Sequence, residues 1–181
     1  VGKYGGKLVS SAGGPNSYSA THYARHPYFF SMDPGITKVV PEIAAGYELT
    51  NNSKVLTIHL REGLKWSDGH PFTTEDIMFW YNHVVLNEDL AVRGNWWRVN
   101  GELAEFQAVD DYTLKITFPE PYRPVKGLIN YWATQQTVFY EPAHYMKQYH
   151  EDFNVNIEEL AAEGGFDNCV RLYNYYNDTS P

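Results

Sequence analysis

The feature that most constrains this chain is an alternating strand pattern that is followed, across one tight turn, by a capped helix pattern. Residues 54–61 alternate apolar and polar side chains, which predicts a strand with one buried face. The turn is predicted at residues 66–71, Trp-Ser-Asp-Gly-His-Pro. A helix is predicted over residues 73–87, because Thr73 can cap its N-terminus and Asp76 lies three positions later, as in a capping box. We therefore expect this helix to pack on the sheet that contains the strand.

The rest of the chain extends this pattern of paired strands and connecting helices. Polar turns at residues 51–53 and 110–111 separate strand-like runs, which predicts two hairpins. The predicted helix carries one apolar stripe, formed by Ile77, Trp80, Tyr81, Val84 and Val85. Further helical patterns occupy three segments, residues 127–135, 142–149 and 157–163. Residues 16–35 show no periodicity, and the chain end shows no closing element. The predicted fold class is therefore α/β, locally α+β, with largely antiparallel pairing.

The composition of the 181 residues limits the classes of partner. Lys and Arg number 14 against 22 Asp and Glu, a formal net charge of −8, which argues against nucleic acid because surfaces that bind it are basic. Cys169 is the single cysteine, so we expect no disulfide framework and no cysteine-based zinc site, and we interpret it as a core residue. No long apolar run predicts a membrane span, and residues 1–11 lack a signal-peptide pattern. If the protein is exported, its leader is not in this sequence.

Residues that could carry chemistry are present, but they do not form a known catalytic or metal-binding pattern. The seven histidines include no paired-histidine helix motif, so we expect no metal and no other cofactor. Four carboxylates cluster at the second hairpin, where a glycosidase could hold an acid and a nucleophile: Glu102, Glu105, Asp110 and Asp111. Asp110 and Asp111 stand in a turn, where aspartate is favoured for backbone hydrogen bonds, so we expect a structural role for them.

Aromatic residues make up 16% of the chain and are the strongest remaining indication of ligand binding. Trp80 lies on the apolar stripe and is predicted to be a core residue. Trp96 and Trp97 are adjacent on a predicted loop between Arg93 and Arg98, so both rings cannot easily face one core. We predict that one ring packs inward and the other offers a flat surface to an amphipathic ligand such as a sugar or a peptide.

Two segments carry a specific resemblance to a known family. Residues 41–49 have the sequence PEIAAGYEL, and residues 56–77 have the sequence LTIHLREGLKWSDGHPFTTEDI. Together they resemble the signature of the family 5 extracellular solute-binding proteins, the oligopeptide, dipeptide and nickel type receptors of ABC importers, some of which bind oligosaccharides. The resemblance joins a strand ending in Leu-Arg, a glycine-bearing turn, Ser-Asp-Gly and a Thr-capped helix. It extends over most of residues 4–150.

This resemblance implies a clamshell of the type II periplasmic-binding-protein kind, of which the chain would be a portion of the N-terminal lobe. We expect residues 1–14 to form the first strand of the hinge-proximal lobe, and residues 15–140 to form an α+β lobe with two hairpins and the capped helix. Residues 141–181 would be a helical return segment. The family's C-terminal lobe is absent and the segment from residue 11 to 33 is short for the family. We therefore expect a truncated chain or one that omits internal residues.

The resemblance also implies a function and a site. We expect an extracytoplasmic receptor, in the periplasm or lipid-anchored on the outer face of a bacterial cell membrane, that is not an enzyme. It would capture an oligopeptide or oligosaccharide and deliver it to the transmembrane subunits of an ABC permease. In this family the loop after the first strand borders the cleft, and the loop after the capped helix can reach into it. The predicted substrate-binding residues are therefore Asn16, Ser17, Tyr18, Trp96 and Trp97.

Two other classes of function stay open from the sequence alone. The first is a carbohydrate-active enzyme or a carbohydrate-binding module, and the second is a signalling or scaffold domain on the same fold. An enzyme needs paired carboxylates in one cleft, whereas a receptor needs an aromatic-lined cleft without them.

Overall fold

The computed structural model describes residues 29–33, 37–90, 97–125 and 139–177. The strands in these ranges are β1 (Phe30–Met32), β2 (Val39–Pro41), β3 (Ala44–Thr50), β4 (Val55–Leu60), β5 (Arg98–Val99), β6 (Glu102–Leu103), β7 (Glu105–Asp110) and β8 (Thr113–Thr117). The α-helices are α1 (Thr74–Phe79), α2 (Ala143–Met146), α3 (Ile157–Glu163) and α4 (Cys169–Asn177). A π-helical turn, Trp80–Val85, continues α1, and two short 3-10 turns are present, Asn51–Ser53 and Lys147–Tyr149.

The centre of the described fold is a four-stranded antiparallel sheet in the order β3–β4–β8–β7. Strand β4 pairs with β8 in a register that sets Leu56 opposite Ile116 and Ile58 opposite Leu114. All four of these side chains are fully buried, whereas the positions between them are only half-buried. The alternation in the sequence therefore corresponds to one buried face. Both predicted hairpins, β3–β4 and β7–β8, are confirmed.

The prediction of no regular structure in residues 16–35 is wrong for β1. This strand pairs antiparallel with β2, and the adjacent Phe29 and Phe30 are buried in the main core. Backbone bonds also join Phe29 to the chain beyond β2, because its carbonyl accepts from the N–H groups of Glu42 and Ala44, at 3.1 and 3.2 Å. A three-residue strand is too short to show an alternating pattern, so this strand is recognisable only from its pairing with β2.

The predicted helix is confirmed at its N-terminus. Thr73 Oγ1 accepts a hydrogen bond from the N–H of Glu75 at 3.2 Å, and Asp76 Oδ2 accepts one from the N–H of Thr73 at 3.0 Å. The Thr73 and Asp76 side chains thus accept from backbone N–H groups at the start of the helix, as in a capping box. The next residue, Thr74, fixes the helix to the second hairpin, since its N–H and its hydroxyl donate to the carbonyls of Asp111 and Asp110, at 2.9 and 2.8 Å.

The second half of the helix differs from the prediction, because α-helical geometry ends at Phe79 and Trp80–Val85 form a π-helical turn. A π-helix has more residues per turn, so it rotates the stripe that the 3.6-residue period places on one face. Ile77 and Trp80 are buried, whereas Val84 and Val85 are only half-buried. A change of helix type is not visible in hydrophobic spacing alone.

The helical segments after residue 141 agree with the prediction, except at the chain end. α2 and α3 form where helices were predicted, and α3 ends at Gly164, followed by Gly165 at φ +77°, a conformation that favours glycine. The expectation of no closing element is wrong, because α4 continues to Asn177 and buries Leu172 and Tyr173. The predicted first strand and the helix over residues 127–135 lie outside the described residues, and the division into 1–14, 15–140 and 141–181 stays a prediction.

We predict that Trp80→Ala lowers the free energy of unfolding by about 3 to 5 kcal/mol, the usual range for deleting a buried large aromatic side chain. Trp80 is 6% exposed, and its ring lies 6.0 Å from Phe106 and 6.2 Å from Phe139 between ring centroids. Chemical denaturation followed by circular dichroism measures the change. The control is Leu86→Ala, because Leu86 directly follows the π-helical turn and is 52% exposed. Equal effects of the two substitutions would contradict the assignment of Trp80 to the core.

Candidate functional site

Of the five predicted substrate-binding residues, the structure describes one. Asn16, Ser17, Tyr18 and Trp96 lie outside the described residues. Trp97 is 1% exposed and belongs to the main core, so it is a ring that packs inward. A ligand-facing role for the tryptophan pair therefore stays a prediction, and it now depends on Trp96.

Three phenylalanine rings lie against Trp97. Its ring makes edge contacts with Phe106 and Phe139, each at 5.1 Å between centroids, and lies nearly parallel to Phe118 at 6.3 Å. Its carbonyl accepts from the N–H of Ala104 at 2.8 Å. The indole Nε1 is buried and has no hydrogen-bond partner among the described residues. Buried donors are nearly always bonded, so an indole N–H without a partner in those ranges is unusual for a core tryptophan.

The polar side chains of the turn and the capped helix form a structural joint centred on Asp76. Its side chain is almost fully buried. Oδ2 accepts from the N–H of Thr73, and Oδ1 accepts from the N–H of Ala143 at 3.0 Å. Its backbone carbonyl also accepts from the N–H of Glu141 at 3.2 Å. Burial raises the pKa of Asp76, and the hydrogen bonds from Thr73 and Ala143 oppose that rise. This carboxylate thus joins the start of α1 to the start of α2.

The tight turn before α1 is held to α2 by a second carboxylate. Asp68 Oδ1 accepts from the N–H of His70 at 2.9 Å, and its Oδ2 accepts from His144 Nε2 at 2.6 Å. The hydrogen bond from the His70 N–H is the main cause that lowers the pKa of Asp68, and the bond from His144 adds to it. The rings of His70 and His144 stack at 3.9 Å between centroids, and Gly69 adopts φ +91° at the tip of the turn. The Ser-Asp-Gly-His segment therefore fixes the turn to α2.

A third carboxylate, Glu141, is not among the predicted site residues. It is 6% exposed, Tyr173 donates its hydroxyl to Oε2, and Asn177 Nδ2 donates to Oε1 at 2.9 Å. Burial raises the pKa of Glu141 to about 7, and the two donors oppose that rise. Burial is the largest cause that raises the pKa of Tyr173, and the neighbouring Glu141 carboxylate raises it further. Glu141 thus attaches α4 to the chain just before α2.

The groups in the described residues that could carry catalysis are poorly suited to it. Glu102 and Glu105 are exposed, and the pKa of Asp110 is held below its usual range by the N–H of Tyr112. A general acid needs a raised pKa. Burial raises the pKa of two carboxyls, Asp76 and Glu141, but both are enclosed by structural hydrogen bonds. Burial also raises the pKa of the Cys169 thiol to about 11, which leaves little nucleophilic thiolate near neutral pH.

No helix within the described ranges has the length and apolar character needed to cross a membrane.

Comparison with known proteins identifies one family. Residues 38–167 match the bacterial extracellular solute-binding proteins, family 5 Middle. A periplasmic alpha-galactoside-binding protein of Rhizobium meliloti is 32% identical over 94 residues, which are 51% of this chain and 14% of that protein. The periplasmic oligopeptide-binding protein OppA of Escherichia coli is 33% identical over 95 residues, 45% of this chain and 17% of that protein.

The solved structure of an oligopeptide-binding protein OppA is similar over nearly the whole chain. It superposes with a TM-score of 0.77 at 32% sequence identity, covering 91% of this chain and 25% of that one. The fold class of a periplasmic binding protein is therefore confirmed for the part of the chain that the structure describes. The chain spans only about a seventh to a quarter of the length of these relatives.

We predict that Glu141→Gln removes a loss of stability that the unchanged chain suffers between about pH 4.5 and pH 7. The folded-state pKa of Glu141 lies above its ordinary value of 4.5, at about 7, so the folded chain binds the extra proton in this window. The stability contributed by the neutral carboxyl is complete below pH 4.5 and is lost as pH rises through 7, by about 3 kcal/mol. Gln keeps a carbonyl for Asn177 and cannot ionise.

The measurement is urea denaturation at half-unit steps from pH 4.5 to 7.5 for the unchanged chain and the variant. The control is Glu163→Gln, because Glu163 is an exposed residue at the end of α3. Its curve should parallel that of the unchanged chain. If Glu141→Gln also gives a parallel curve, Glu141 is ionised in the folded state throughout this range.

Proposed function

Since the chain belongs to the bacterial extracellular solute-binding proteins of family 5, we propose that it acts in the substrate-binding component of an ABC importer. The observation that carries this proposal is the match over residues 38–167, which includes the central sheet and the joint around Asp76. This protein would capture a solute outside the cytoplasm, in the periplasm or on the outer face of the cell membrane. It would then deliver the solute to the transmembrane permease subunits.

The solute class that the observations favour is an oligopeptide or an oligosaccharide. Relatives named for oligopeptides and for alpha-galactosides match the chain at similar identity, 33% and 32%. Both ligand classes present polar edges and apolar faces, which suit a cleft lined by aromatic rings with a few polar groups. The proposed contacts from this chain are Asn16, Ser17, Tyr18 and Trp96, whereas Trp97 lies in the core.

Binding in such a receptor changes the population of conformations rather than breaking a bond. Two lobes close on the solute, and the solute shifts the equilibrium only by as much as it binds the closed form better than the open form. The lobe must therefore stay rigid while it moves. The buried Asp76 and Glu141 carboxylates suit this need, because each fixes two segments of one lobe to each other.

We predict that a ligand raises the thermal unfolding midpoint of the protein translated from the complete reading frame that contains these residues. The screen compares tri- to pentapeptides with alpha-galactosides such as stachyose, and isothermal titration calorimetry then measures the dissociation constant. A solute that binds only the folded state stabilises it by an amount that grows with the logarithm of its concentration over that constant. If neither class shifts the midpoint, the proposed solute classes are wrong.

The tryptophan pair supplies a matched set of variants for the same titration. Trp96→Ala should weaken binding of the identified solute by about 1 to 3 kcal/mol with little change in stability, the scale of removing an apolar platform. Trp97→Ala should chiefly lower the free energy of unfolding, because its ring is 1% exposed among phenylalanines. Equal losses of stability for both, with affinity unaltered, would place both rings in the core.

We also predict that the protein hydrolyses neither peptides nor glycosides. Glu102 and Glu105 are exposed and lie on the short strand β6 and the sheet-edge strand β7. Product formation from fluorogenic peptides and p-nitrophenyl glycosides should equal that of buffer. Turnover that disappears on Glu102→Gln or Glu105→Gln would instead support the carbohydrate-active enzyme.

A further inference from the structure

His83, which lies in the π-helical turn, meets two residues from a distant part of the chain, His150 and Asp152. Nδ1 of His83 lies 2.6 Å from Oδ2 of Asp152, and Nδ1 of His150 lies 3.7 Å from the same oxygen. One ligand atom from each of these three residues lies within 4.8 Å of the others. Such separations approach those of donor atoms around one small cation, since zinc bonds nitrogen and carboxylate oxygen at about 2.0 to 2.2 Å.

The orientation of His150 is fixed in the form that a metal needs. Its side chain is fully buried, and its Nε2 donates to the carbonyl of His83 at 2.8 Å. That bond places the proton on Nε2 and leaves the lone pair on Nδ1, which accepts the N–H of Asp152 at 3.1 Å. Metal-binding histidines commonly donate their other ring nitrogen to a carbonyl in this way.

The other two groups of the cluster reach solvent and can exchange partners. The side chains of His83 and Asp152 are 28% and 53% exposed. One wall beside them is aromatic, because the ring of Phe153 meets that of His83 edge-on at 4.7 Å and Phe79 lies 5.4 Å away. Lys147, the cation nearest in sequence to His150, is paired with Glu75 at 2.6 Å. An ion would therefore meet a buried nitrogen on one side and water on the other.

We propose that His83, His150 and Asp152 form a binding site for one divalent transition-metal ion of the zinc type. Two imidazoles and one carboxylate suit zinc among common cations, and three protein ligands leave a position for water. The ion would replace the proton between His83 and Asp152 and take over the lone pair of His150. It would cross-link the π-helical turn to the segment after α2. The expectation of no metal is based on the spacing of histidines along the chain. That spacing cannot indicate this site, because His83 lies 69 positions from Asp152.

The test is calorimetric titration of the 181-residue chain with zinc chloride, with Co²⁺ absorption as a second readout of ligand number. The expected result is one ion per chain and a higher thermal midpoint, because an ion that binds the folded state stabilises it. His83→Gln and Asp152→Asn should each weaken binding about tenfold or more. Both positions are partly exposed, so the variants should fold, which circular dichroism checks.

The matched control is His59→Gln, because His59 also faces a carboxylate, Glu48 at 3.7 Å, but no second histidine joins that pair among the described residues. This variant should bind zinc as the unchanged chain does. Equal affinity of the unchanged chain and both cluster variants would assign the ion to other histidines and overturn the proposal. Absence of saturable binding to the unchanged chain would also overturn it. Neither outcome bears on solute binding, which the ligand screen tests separately.

Discussion

The structure depends on one buried carboxylate, that of Asp76, which two distant segments must satisfy together. Burying a charged carboxylate costs several kcal/mol unless hydrogen bonds compensate it, and the first N–H groups of a helix lack partners within that helix. Asp76 meets both needs, because it accepts from the N–H of Thr73 before α1 and from that of Ala143 at the start of α2. Thr73 and Asp76 cap the start of α1 from within their own segment, whereas the Ala143 N–H at the start of α2 takes its acceptor from α1. We therefore expect α2 to form only once α1 is in place.

Around this bond, exposed side-chain pairs join the same two segments in the same order along the chain. The pairs are Asp68 with His144, Glu75 with Lys147, and His83 with Asp152. The two segments therefore run side by side in the same direction. Exposed pairs contribute about 0 to 1 kcal/mol each, so they select this register while the apolar core supplies most of the stability.

Features set by neighbouring residues could be predicted from the sequence, and features set by distant partners could not. The alternation in β4 and the Thr73 cap are local, and both are observed. β1 forms because β2 pairs with it, and α4 buries Tyr173 against Glu141, contacts that no short window contains. The same reason hides the cluster of His83 and His150. Of the predicted substrate-binding residues only Trp97 is described, and adjacency alone could not tell which ring of its pair turns inward.

Aromatic content was the sequence evidence for a binding surface, and much of it is used by the core. The main core contains Trp97 with Phe106, Phe118 and Phe139, all less than 5% exposed. The exposed rings near the chain end are tyrosines, such as Tyr175 and Tyr176, and a hydroxyl lets a large ring stay in contact with water. A count of rings cannot separate these two uses, because burial follows from register and packing. The ligand proposal therefore depends on the behaviour of Trp96 relative to Trp97, and not on composition.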